Sequence, residues 1–335
     1  MVTKYERVLI TGCGGMLGNA IFPYFYARYP NVNATDVNVR QTWLNHLDVT
    51  DQAEVRKVIA DFQPDLVLHL AALVDMEVCE QQAERANLLN VEASRIVAEE
   101  TERVGATIVY ISTGGVFDGK IKTFYTEAEE PKPICVYGAT KFGGEIHVRN
   151  ICSKAYVIRP GWMVGGGYGL DRKFVAMILD QLEKGQKTIY AVDDKWGTPT
   201  YTYDFAVTLH ELLKTGKHGT YHMVCKGTGT RYDVARMIVD VCRRYDVEVE
   251  RVKSDFFQKR FFAPRPNNEI LVNKALEDLG INYMRPWTEA LMEYIPRHYP
   301  HLVGGYAGHA GAVRMSEEIS LERIRGRPAA SSTAA

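Results

Sequence analysis

Tyr137 and Lys141 are two side chains whose types and spacing could carry proton transfer. They stand four residues apart in Tyr137-Gly138-Ala139-Thr140-Lys141, which places both on one face of a predicted helix. An unperturbed phenol has a pKa of about 10, so tyrosine suits acid–base chemistry at neutral pH only when a neighbour such as an ammonium group stabilises its anion. With 19 tyrosines in the chain, the same spacing also fits a buried tyrosine beside a solvated lysine.

Thr113 is a third candidate, because it follows a predicted strand and precedes Tyr137 by one loop. Ligands of open parallel sheets bind at the carboxyl ends of the strands, so this threonine would lie at such an edge. Reduction of a ketone needs a hydride on carbon and a proton on oxygen. Tyr137 would donate the proton, Lys141 would support it electrostatically, and the Thr113 hydroxyl would orient the carbonyl.

Gly12, Gly15 and Gly18 form a G-x-x-G-x-x-G pattern between a predicted strand and a predicted helix. Such a turn lets the backbone approach a pyrophosphate, and the helix that opens with Met16 and Leu17 offers N–H groups and a positive dipole end to the anion. Glycine turns also serve as plain connections. The position on the first strand-to-helix turn favours a dinucleotide, either NAD(H) or NADP(H).

Asp36 ends the second predicted strand, where an acidic side chain accepts hydrogen bonds from the adenosine ribose. Such a carboxylate would repel the 2′-phosphate of NADP and therefore favours NAD(H), although the nearby Arg40 softens this preference. The alternative is that Asp36 is a turn residue. Asp48 and Val49 could face the adenine. Alternatively, Asp48 could be a helix cap, since Thr50 and Asp51 both suit a helix start.

Short β-branched runs alternate with helical patterns over the first half of the chain. This alternation predicts right-handed βαβ units and a parallel sheet covered by helices on both faces. The predicted strands are 7–11, 33–36, 66–70, 107–112 and 155–159, and the predicted helices are 16–29, 50–62, 83–104 and 137–149.

The pattern predicts an α/β fold with two lobes. Residues 1–165 are predicted to form a Rossmann-type doubly wound parallel sheet, with later segments near 188–225 returning to it. Residues 166–302 are predicted mainly to form a smaller C-terminal substrate-binding lobe, with helices at 173–184 and 231–244. Residues 303–335 are rich in Gly, Ala and Ser and predict a poorly ordered tail.

Composition excludes several classes of partner. The 335 residues carry 40 Lys and Arg against 41 Asp and Glu, so no global field recruits nucleic acid or an anionic membrane. No run approaches 18 apolar residues, and the six scattered cysteines predict reduced thiols in a cytoplasmic protein. No metal site is predicted.

Further motifs extend over most of the chain. They are Met16-Leu17-Gly18, Leu47-Asp48-Val49-Thr50-Asp51, His69-Leu70-Ala71-Ala72, Ser112-Thr113 with Val116-Phe117-Asp118-Gly119, Val136-Tyr137-Gly138-Ala139-Thr140-Lys141 with Gly144-Glu145, Arg159 with Trp162, Gly197-Thr198-Pro199-Thr200, and Arg265-Pro266 before Leu271. From about residue 6 to about residue 295 the chain resembles the extended short-chain dehydrogenase/reductase family, and within it most closely the dTDP-4-dehydrorhamnose reductase branch.

The resemblance implies roles for several of these residues. Thr113, Tyr137 and Lys141 would be the catalytic triad, and Ala71 and Ala72 would line the cofactor path. The residues implied near the sugar nucleotide are Gly114, Trp162, Thr198 and Arg265. Three of them have alternatives: Trp162 as core, Thr198 as part of a turn, and Arg265 as a surface ion pair.

Gly114-Gly115 is a departure from this branch, which usually has Asp-Tyr directly after the triad threonine. Those side chains face the sugar, so the departure argues against the rhamnose precursor as substrate. It also argues against a 4,6-dehydratase, which places an Asp-Glu acid–base pair there, because two glycines can neither remove a proton nor expel water.

The resemblance implies the NAD(P)H-dependent reduction of a nucleoside-diphosphate 4-keto-deoxysugar, and it is compatible with a homodimer. One alternative is a sugar-nucleotide epimerase, which uses the same triad and keeps NAD tightly bound. A second alternative is a non-catalytic regulatory subunit that retains the fold and the nucleotide site.

Overall fold

The computed structural model describes residues 5–303, so the predicted tail after Val303 lies outside the described residues. The strands of the described part are Arg7–Thr11 (β1), Asn31–Asp36 (β2), Asn45–His46 (β3), Leu66–His69 (β4), Thr107–Ile111 (β5), Ala155–Arg159 (β6), Trp162–Val164 (β7), Thr188–Val192 (β8), Trp196–Gly197 (β9), Pro199–Tyr201 (β10), Gly219–His222 (β11), Gly229–Thr230 (β12), Glu248–Val252 (β13) and Asn268–Glu269 (β14).

The α-helices of the same part are Met16–Tyr26 (α1), Gln52–Phe62 (α2), Met76–Gln81 (α3), Ala83–Asn87 (α4), Ala93–Arg103 (α5), Val136–Ile151 (α6), Phe174–Glu183 (α7), Thr202–Thr215 (α8), Arg231–Val241 (α9), Lys274–Asp278 (α10) and Trp287–His298 (α11). A π-helical turn spans Leu88–Glu92, and short 3₁₀ turns span Gly114–Val116, Ser254–Phe257 and Pro300–Leu302.

The largest sheet has the strand order β11-β6-β5-β4-β1-β2-β3, and every neighbouring pair is parallel. The order reverses at β1, where the chain proceeds outward to β2 and later crosses back to β4. This is the doubly wound Rossmann arrangement, so the predicted fold class is confirmed. The reversal leaves a crevice beyond the carboxyl ends of β1 and β4, where ligands of such sheets bind.

The central strands form because their residues are apolar on both faces. All residues of β4 and β5 are buried, as expected of strands covered by helices on each side. Some helix starts are capped by polar side chains. Asp51 accepts hydrogen bonds from two N–H groups of the first turn of α2, and Thr230 with Asp233 forms a capping box on α9.

Smaller sheets of two or three strands lie outside the main sheet. β7 pairs with β10, β9 pairs with β12 and β14, and β8 pairs with β13. Within the predicted returning segment 188–225, β11 joins the main sheet beside β6, whereas β8 does not. The β9–β14 pair brings Asn268 and Glu269 beside Trp196 and Gly197.

The predicted helix 83–104 is helical without a break over Ala83–Arg103. The π-helical turn Leu88–Glu92, which was not predicted, lies inside it between α4 and α5. The six cysteines are unpaired and buried. None of the helices within residues 5–303 is long and apolar enough to cross a bilayer.

Candidate active site

The turn between β1 and α1 is packed too closely for side chains at two of its glycines. Gly12 has a φ of +65°, and a Cβ atom there would lie 2.5 Å from the Cα of Ala71. A Cβ atom at Gly18 would lie 2.0 Å from the carbonyl oxygen of Cys13. The cap residue Gly15 has no side chain that could accept hydrogen bonds from the first N–H groups of α1. This helix start can therefore offer those N–H groups to an anion.

Asp36 ends β2, and its carboxylate faces the glycine turn. Its Oδ2 atom accepts a hydrogen bond from the Gly14 N–H at 3.0 Å, and Oδ1 accepts one from the Asn38 N–H at 2.8 Å. A Cβ atom at Gly14 would lie 3.0 Å from Oδ2, so the turn and the carboxylate are in contact. Each oxygen keeps acceptor capacity for a further donor.

Ala71 and Ala72 follow β4 at the carboxyl edge of the sheet, and both are partly exposed. The backbone of Ala71 packs against Gly12. Met16 at the start of α1 is also partly exposed, whereas Leu17 is buried. Small side chains therefore border the turn at the place where the cofactor path was predicted.

Asp48 and Val49 lie between β3 and α2. The Oδ1 atom of Asp48 accepts hydrogen bonds from the N–H and the hydroxyl of Thr50, at 2.9 and 2.7 Å. Val49 is buried. The cap of α2 is Asp51, so the alternative of Asp48 as the helix cap is wrong. A contact with adenine stays a prediction.

Thr113, Tyr137 and Lys141 come together at the carboxyl end of β5. Thr113 follows the strand, and the other two lie one turn apart in the first half of α6. The Thr113 hydroxyl is close enough to the Tyr137 hydroxyl to lower the pKa of the phenol. The Lys141 Nζ atom lies 4.2 Å from the centroid of the Tyr110 ring. Among the predicted site residues, these three form the group suited to acid–base chemistry.

Burial shifts both titrating groups toward their neutral forms. It raises the pKa of Tyr137, and the nearby Thr113 hydroxyl opposes this rise. It lowers the pKa of Lys141 to about 7, and the negative charge of Glu145 opposes this fall. A phenol that stays protonated at neutral pH is ready to give its proton to a carbonyl oxygen as negative charge develops there.

A buried ion pair holds α6 against the sheet one turn beyond Lys141. Glu145 and Arg159 are 0% and 2% exposed, and Arg159 donates two hydrogen bonds to the carboxylate at 2.9 and 2.7 Å. The Ser112 hydroxyl donates to the same carboxylate. Because a buried charge without its partner is costly, the pair fixes the position of α6 and with it that of Lys141.

The π-helical turn Leu88–Glu92 presents Asn90 to the back of α6. Its Nδ2 atom donates to the Thr140 hydroxyl at 3.1 Å and to the Leu73 carbonyl at 3.0 Å, and its Oδ1 atom accepts from the Leu73 N–H at 2.8 Å. Such turns are frequent at functional sites. The sequence analysis missed Asn90, because the helical pattern carries no sign of the extra residue in the turn.

Gly114 and Gly115 follow Thr113, and of the two only Gly115 has room for a Cβ atom at ordinary contact distances. A Cβ atom at Gly114 would lie 3.0 Å from Leu271 Cδ1. A Cβ atom at Gly115 would lie 3.4 Å from Thr113 Oγ1 and 3.8 Å from Glu269 Oε1. A carboxylate from a distant part of the chain therefore borders the space that the glycine leaves.

Trp162 and Thr198 have different surroundings. Trp162 is partly exposed, and its indole Nε1 donates a hydrogen bond to Glu269 Oε2 at 2.9 Å. Thr198 is buried, and its hydroxyl accepts from the Leu271 N–H at 3.2 Å and donates to the Leu271 carbonyl at 3.4 Å. The Thr198 hydroxyl is thus used by the backbone, which suits a supporting position beneath the cleft.

Arg265 forms an ion pair. Its Nη2 atom lies 2.8 and 3.0 Å from the two carboxylate oxygens of Glu77 in α3, and Nη1 donates to the Ala263 carbonyl at 2.9 Å. The structure therefore shows Arg265 in an ion pair, which was the alternative to a contact with the sugar nucleotide. This ion pair joins the segment before β14 to α3. A direct contact with the sugar nucleotide stays a prediction.

Glu269 and Arg231 complete this end of the cleft, and the sequence analysis did not single them out. The Arg231 guanidinium carbon lies 3.8 Å from the Trp162 ring centroid. Burial raises the pKa of Glu269, opposed by the Trp162 hydrogen bond and the charges of Arg231 and Arg265. Burial lowers the pKa of Arg231 to about 10. The Arg265-Pro266 motif was the one signal that could have pointed to this segment.

Residues 5–303 hold no group of three or more histidine, cysteine, aspartate or glutamate side chains arranged for a metal ion. Taken together, the groups described above can bind an anion at the start of α1, donate a proton from Tyr137 and contact a polar ligand near Trp162.

Comparison with known proteins identifies relatives over most of the chain. Residues 6–299 match the family described as the RmlD substrate binding domain. The chain is 31% identical to dTDP-4-dehydrorhamnose reductase of Mycolicibacterium smegmatis, over 87% of this chain and 85% of that protein. It is also 31% identical to methionine adenosyltransferase 2 subunit beta of Rattus norvegicus, over 89% of each.

Solved structures give the same result. A dTDP-4-dehydrorhamnose reductase from Clostridium acetobutylicum has a TM-score of 0.80 and 34% identity, covering 87% of this chain and 98% of that one. The Bacillus anthracis enzyme of that name, in complex with NADP, has a TM-score of 0.79 and 31% identity, with the same coverage. The resemblance inferred from the motifs is confirmed, and the chain belongs to the RmlD substrate-binding domain family of extended short-chain dehydrogenase/reductases.

Proposed function

We propose that the chain catalyses the nicotinamide-dependent reduction of a nucleoside-diphosphate 4-keto-deoxysugar. The observation that carries the proposal is the convergence of Thr113, Tyr137 and Lys141 at the sheet edge that also bears the glycine turn. Relatives named dTDP-4-dehydrorhamnose reductase share the fold and most of the chain length, and one of them holds NADP.

The chain's own residues supply the proton and the orientation of the substrate. The reduced nicotinamide, when bound, supplies a hydride to the carbonyl carbon. Tyr137 donates its phenolic proton to the carbonyl oxygen, and the Thr113 hydroxyl holds that oxygen in reach of the phenol. The Lys141 ammonium stabilises the phenolate left behind and also holds the nicotinamide ribose.

The residues around the glycine turn fit the adenosine half of the cofactor. The N–H groups at the start of α1 suit a pyrophosphate, and Asp36 lies beside them with acceptor capacity for the ribose hydroxyls. Because Asp36 carries the negative charge at that position, we propose that the cofactor is NAD(H) in preference to NADP(H).

Titration with both reduced cofactors tests this preference. NADH is expected to bind at least as tightly as NADPH, and Asp36→Asn should shift the ratio of the two dissociation constants toward NADPH, since it removes the charge that repels the 2′-phosphate. Cofactor fluorescence measures both constants. Asp61→Asn, at an exposed carboxylate of α2, is the matched control. A strong NADPH preference of the unaltered protein would contradict the assignment.

The sugar nucleotide would bind between the catalytic group and the smaller lobe. Arg231 is stacked on the Trp162 ring. Lys173 is exposed and close enough for its charge to act on that of Arg231. Two positive charges near an aromatic ring suit a diphosphate, and we propose that this group lies here.

Substrate choice follows from Gly114 and Gly115. These glycines remove the side chains that would crowd or hydrogen-bond a sugar ring beside Thr113, so dTDP-4-dehydrorhamnose is expected not to be the best substrate. The measurement is cofactor oxidation with a panel of nucleotide-linked 4-keto sugars, compared by kcat/KM. Turnover of dTDP-4-dehydrorhamnose that equals or exceeds that of every other sugar would show this expectation to be wrong.

A sugar-nucleotide epimerase would use the same triad, but it would keep its cofactor. The absorbance and mass spectrum of the purified protein distinguish the two. Stoichiometric NAD that survives purification would favour the epimerase, whereas cofactor that exchanges freely and is consumed with the sugar favours the reductase.

The similarity to methionine adenosyltransferase 2 subunit beta favours one further candidate, a regulatory subunit that binds a nucleotide without turning it over. The intact Tyr137 and Lys141 pair argues for catalysis, since a subunit that only binds the cofactor does not need the phenol as a proton donor. Cofactor binding without oxidation by any sugar of the panel would favour the regulatory subunit.

A further inference from the structure

Glu269 borders the space that Gly115 leaves empty. Its Oε1 atom lies 3.8 Å from the position a Cβ atom would take at Gly115, and Thr113 Oγ1 lies 3.4 Å from the same position. A carboxylate and the catalytic hydroxyl therefore flank one gap. The raised pKa of Tyr137 comes mainly from burial and partly from the charge of Glu269, which is thus near the phenol as well.

The carboxylate is held at one oxygen and open at the other. The Trp162 indole donates to Oε2 at 2.9 Å, and the Arg231 guanidinium carbon lies 3.8 Å from the centroid of the Trp162 ring. The neighbouring Asn268 amide donates to the carbonyls of Ile121 and Thr123 at 2.6 and 3.1 Å, which anchors β14. Among residues 5–303, no donor reaches the Oε1 atom of Glu269.

We infer that Glu269 is a specificity-determining residue whose Oε1 atom accepts a hydrogen bond from the sugar hydroxyl next to the carbonyl carbon. The inference rests on the proposed function, because it takes the carbonyl oxygen to lie on Thr113 and Tyr137. The ring positions next to C4 are C3 and C5. In a 4-keto-6-deoxyhexose C5 bears a methyl group, so C3 carries the one hydroxyl donor adjacent to the carbonyl.

A glycine at position 115 and a glutamate at position 269 complement one another in this role. A side chain at position 115 would fill the gap between Thr113 and the carboxylate and would separate Glu269 from the sugar. With glycine there, a hydroxyl can enter the gap. Hydrogen bonds to charged acceptors are stronger than those between neutral groups. When a bound sugar displaces water from the carboxylate without donating a hydrogen bond to it, binding loses the free energy of hydration of that carboxylate. Glu269 therefore selects for sugars that keep the C3 hydroxyl and against 3-deoxy sugars.

The experiment compares two ligands on three proteins. A dTDP-linked 4-keto-6-deoxyhexose and its 3-deoxy counterpart are titrated by calorimetry in the presence of oxidised cofactor, which cannot supply a hydride. The parent protein should bind the hydroxylated sugar roughly 10- to 100-fold more tightly than the 3-deoxy sugar. Glu269→Leu, which is similar in size and has no acceptor, should reduce this ratio to within a few fold of one. Glu250→Gln, at an exposed position of β13, should keep the parent ratio.

A ratio of two affinities is insensitive to a general loss of folded protein, and thermal melting verifies that each variant folds. Glu269→Gln supplies a second test, because it keeps an acceptor for Trp162 but loses the charge, and its ratio should lie between those of the parent and the leucine variant. Equal ratios in the parent and Glu269→Leu would overturn the inference. Binding with the expected ratios but without turnover would refute the reductase and leave the hydroxyl contact established.

Discussion

Replacing Tyr137 with phenylalanine should lower the rate of hydride transfer roughly 10²- to 10⁴-fold, the range typical of a general acid. The substitution keeps the ring, its packing in α6 and the space beside Thr113, and it removes only the hydroxyl that donates the proton. Cofactor affinity should barely change, because the proposed contacts to the ribose come from Lys141. The decisive measurement is single-turnover oxidation of the reduced cofactor with saturating cofactor and sugar.

If Tyr137 had a purely structural role, Tyr137→Phe would lower the stability of the protein and leave the rate of hydride transfer unchanged. The variant would then lose about 0.5–1.5 kcal/mol of stability through a missing hydrogen bond, with the rate per folded molecule unchanged. Tyr29→Phe is a matched control, since the Tyr29 hydroxyl is buried and bonded to His210 Nδ1 at 2.9 Å at the far end of α1. A Tyr137→Phe rate within a few fold of the parent would remove the phenol from the mechanism.

The parallel sheet could be predicted because its signal is local. Each central strand is a short apolar run, and each connection carries a helical period or a glycine turn, so β1 and β6 have the predicted bounds and β4 and β5 differ by one residue at the end. The order of strands then follows from the rules for crossovers. This is why the meeting of Thr113 with Tyr137 and Lys141 was accessible from the sequence.

The π-helical turn and the short β3 and α3 could not be predicted in this way. The segment 83–104 keeps an apolar period throughout, and one extra residue in a turn changes that period too little to be detected. β3 has two residues, and α3 has six. Such short elements are stabilised by neighbours that are distant in the sequence, which local patterns do not contain.

The sugar end of the site was only partly accessible for the same reason. Trp162, Arg231 and Glu269 come from β7, α9 and β14, and only the folded chain stacks the arginine on the indole and bonds the indole to the carboxylate. Motif position pointed to Arg265 and Thr198. In the structure Arg265 pairs with Glu77, and the Thr198 hydroxyl accepts a hydrogen bond from the N–H of Leu271, two residues after β14.

Replacing Lys141 with methionine should reduce both turnover and cofactor affinity, and this distinguishes it from Tyr137→Phe. Methionine keeps an unbranched side chain of similar length and removes the ammonium that supports the phenol and holds the ribose. Loss of a hydrogen bond from a charged donor should weaken cofactor binding roughly tenfold or more. The variant should fold at least as stably as the parent, because burial lowers the pKa of Lys141 and so disfavours its charged form in the folded chain.

The pH dependence of cofactor binding gives an independent measurement of the same group. The pKa of Lys141 is about 7 in the free protein, so above that pH the lysine must take up a proton before it can hold the ribose. Affinity of the parent should therefore fall as pH rises through 7, by up to about tenfold per pH unit. The neighbouring His69 and Cys79 do not interfere, since burial lowers the pKa of the histidine to about 3 and raises that of the thiol to about 11. Lys141→Met should bind the cofactor with no such step, and a parent affinity that is flat between pH 6 and 9 would show that Lys141 does not hold the ribose as an ammonium group.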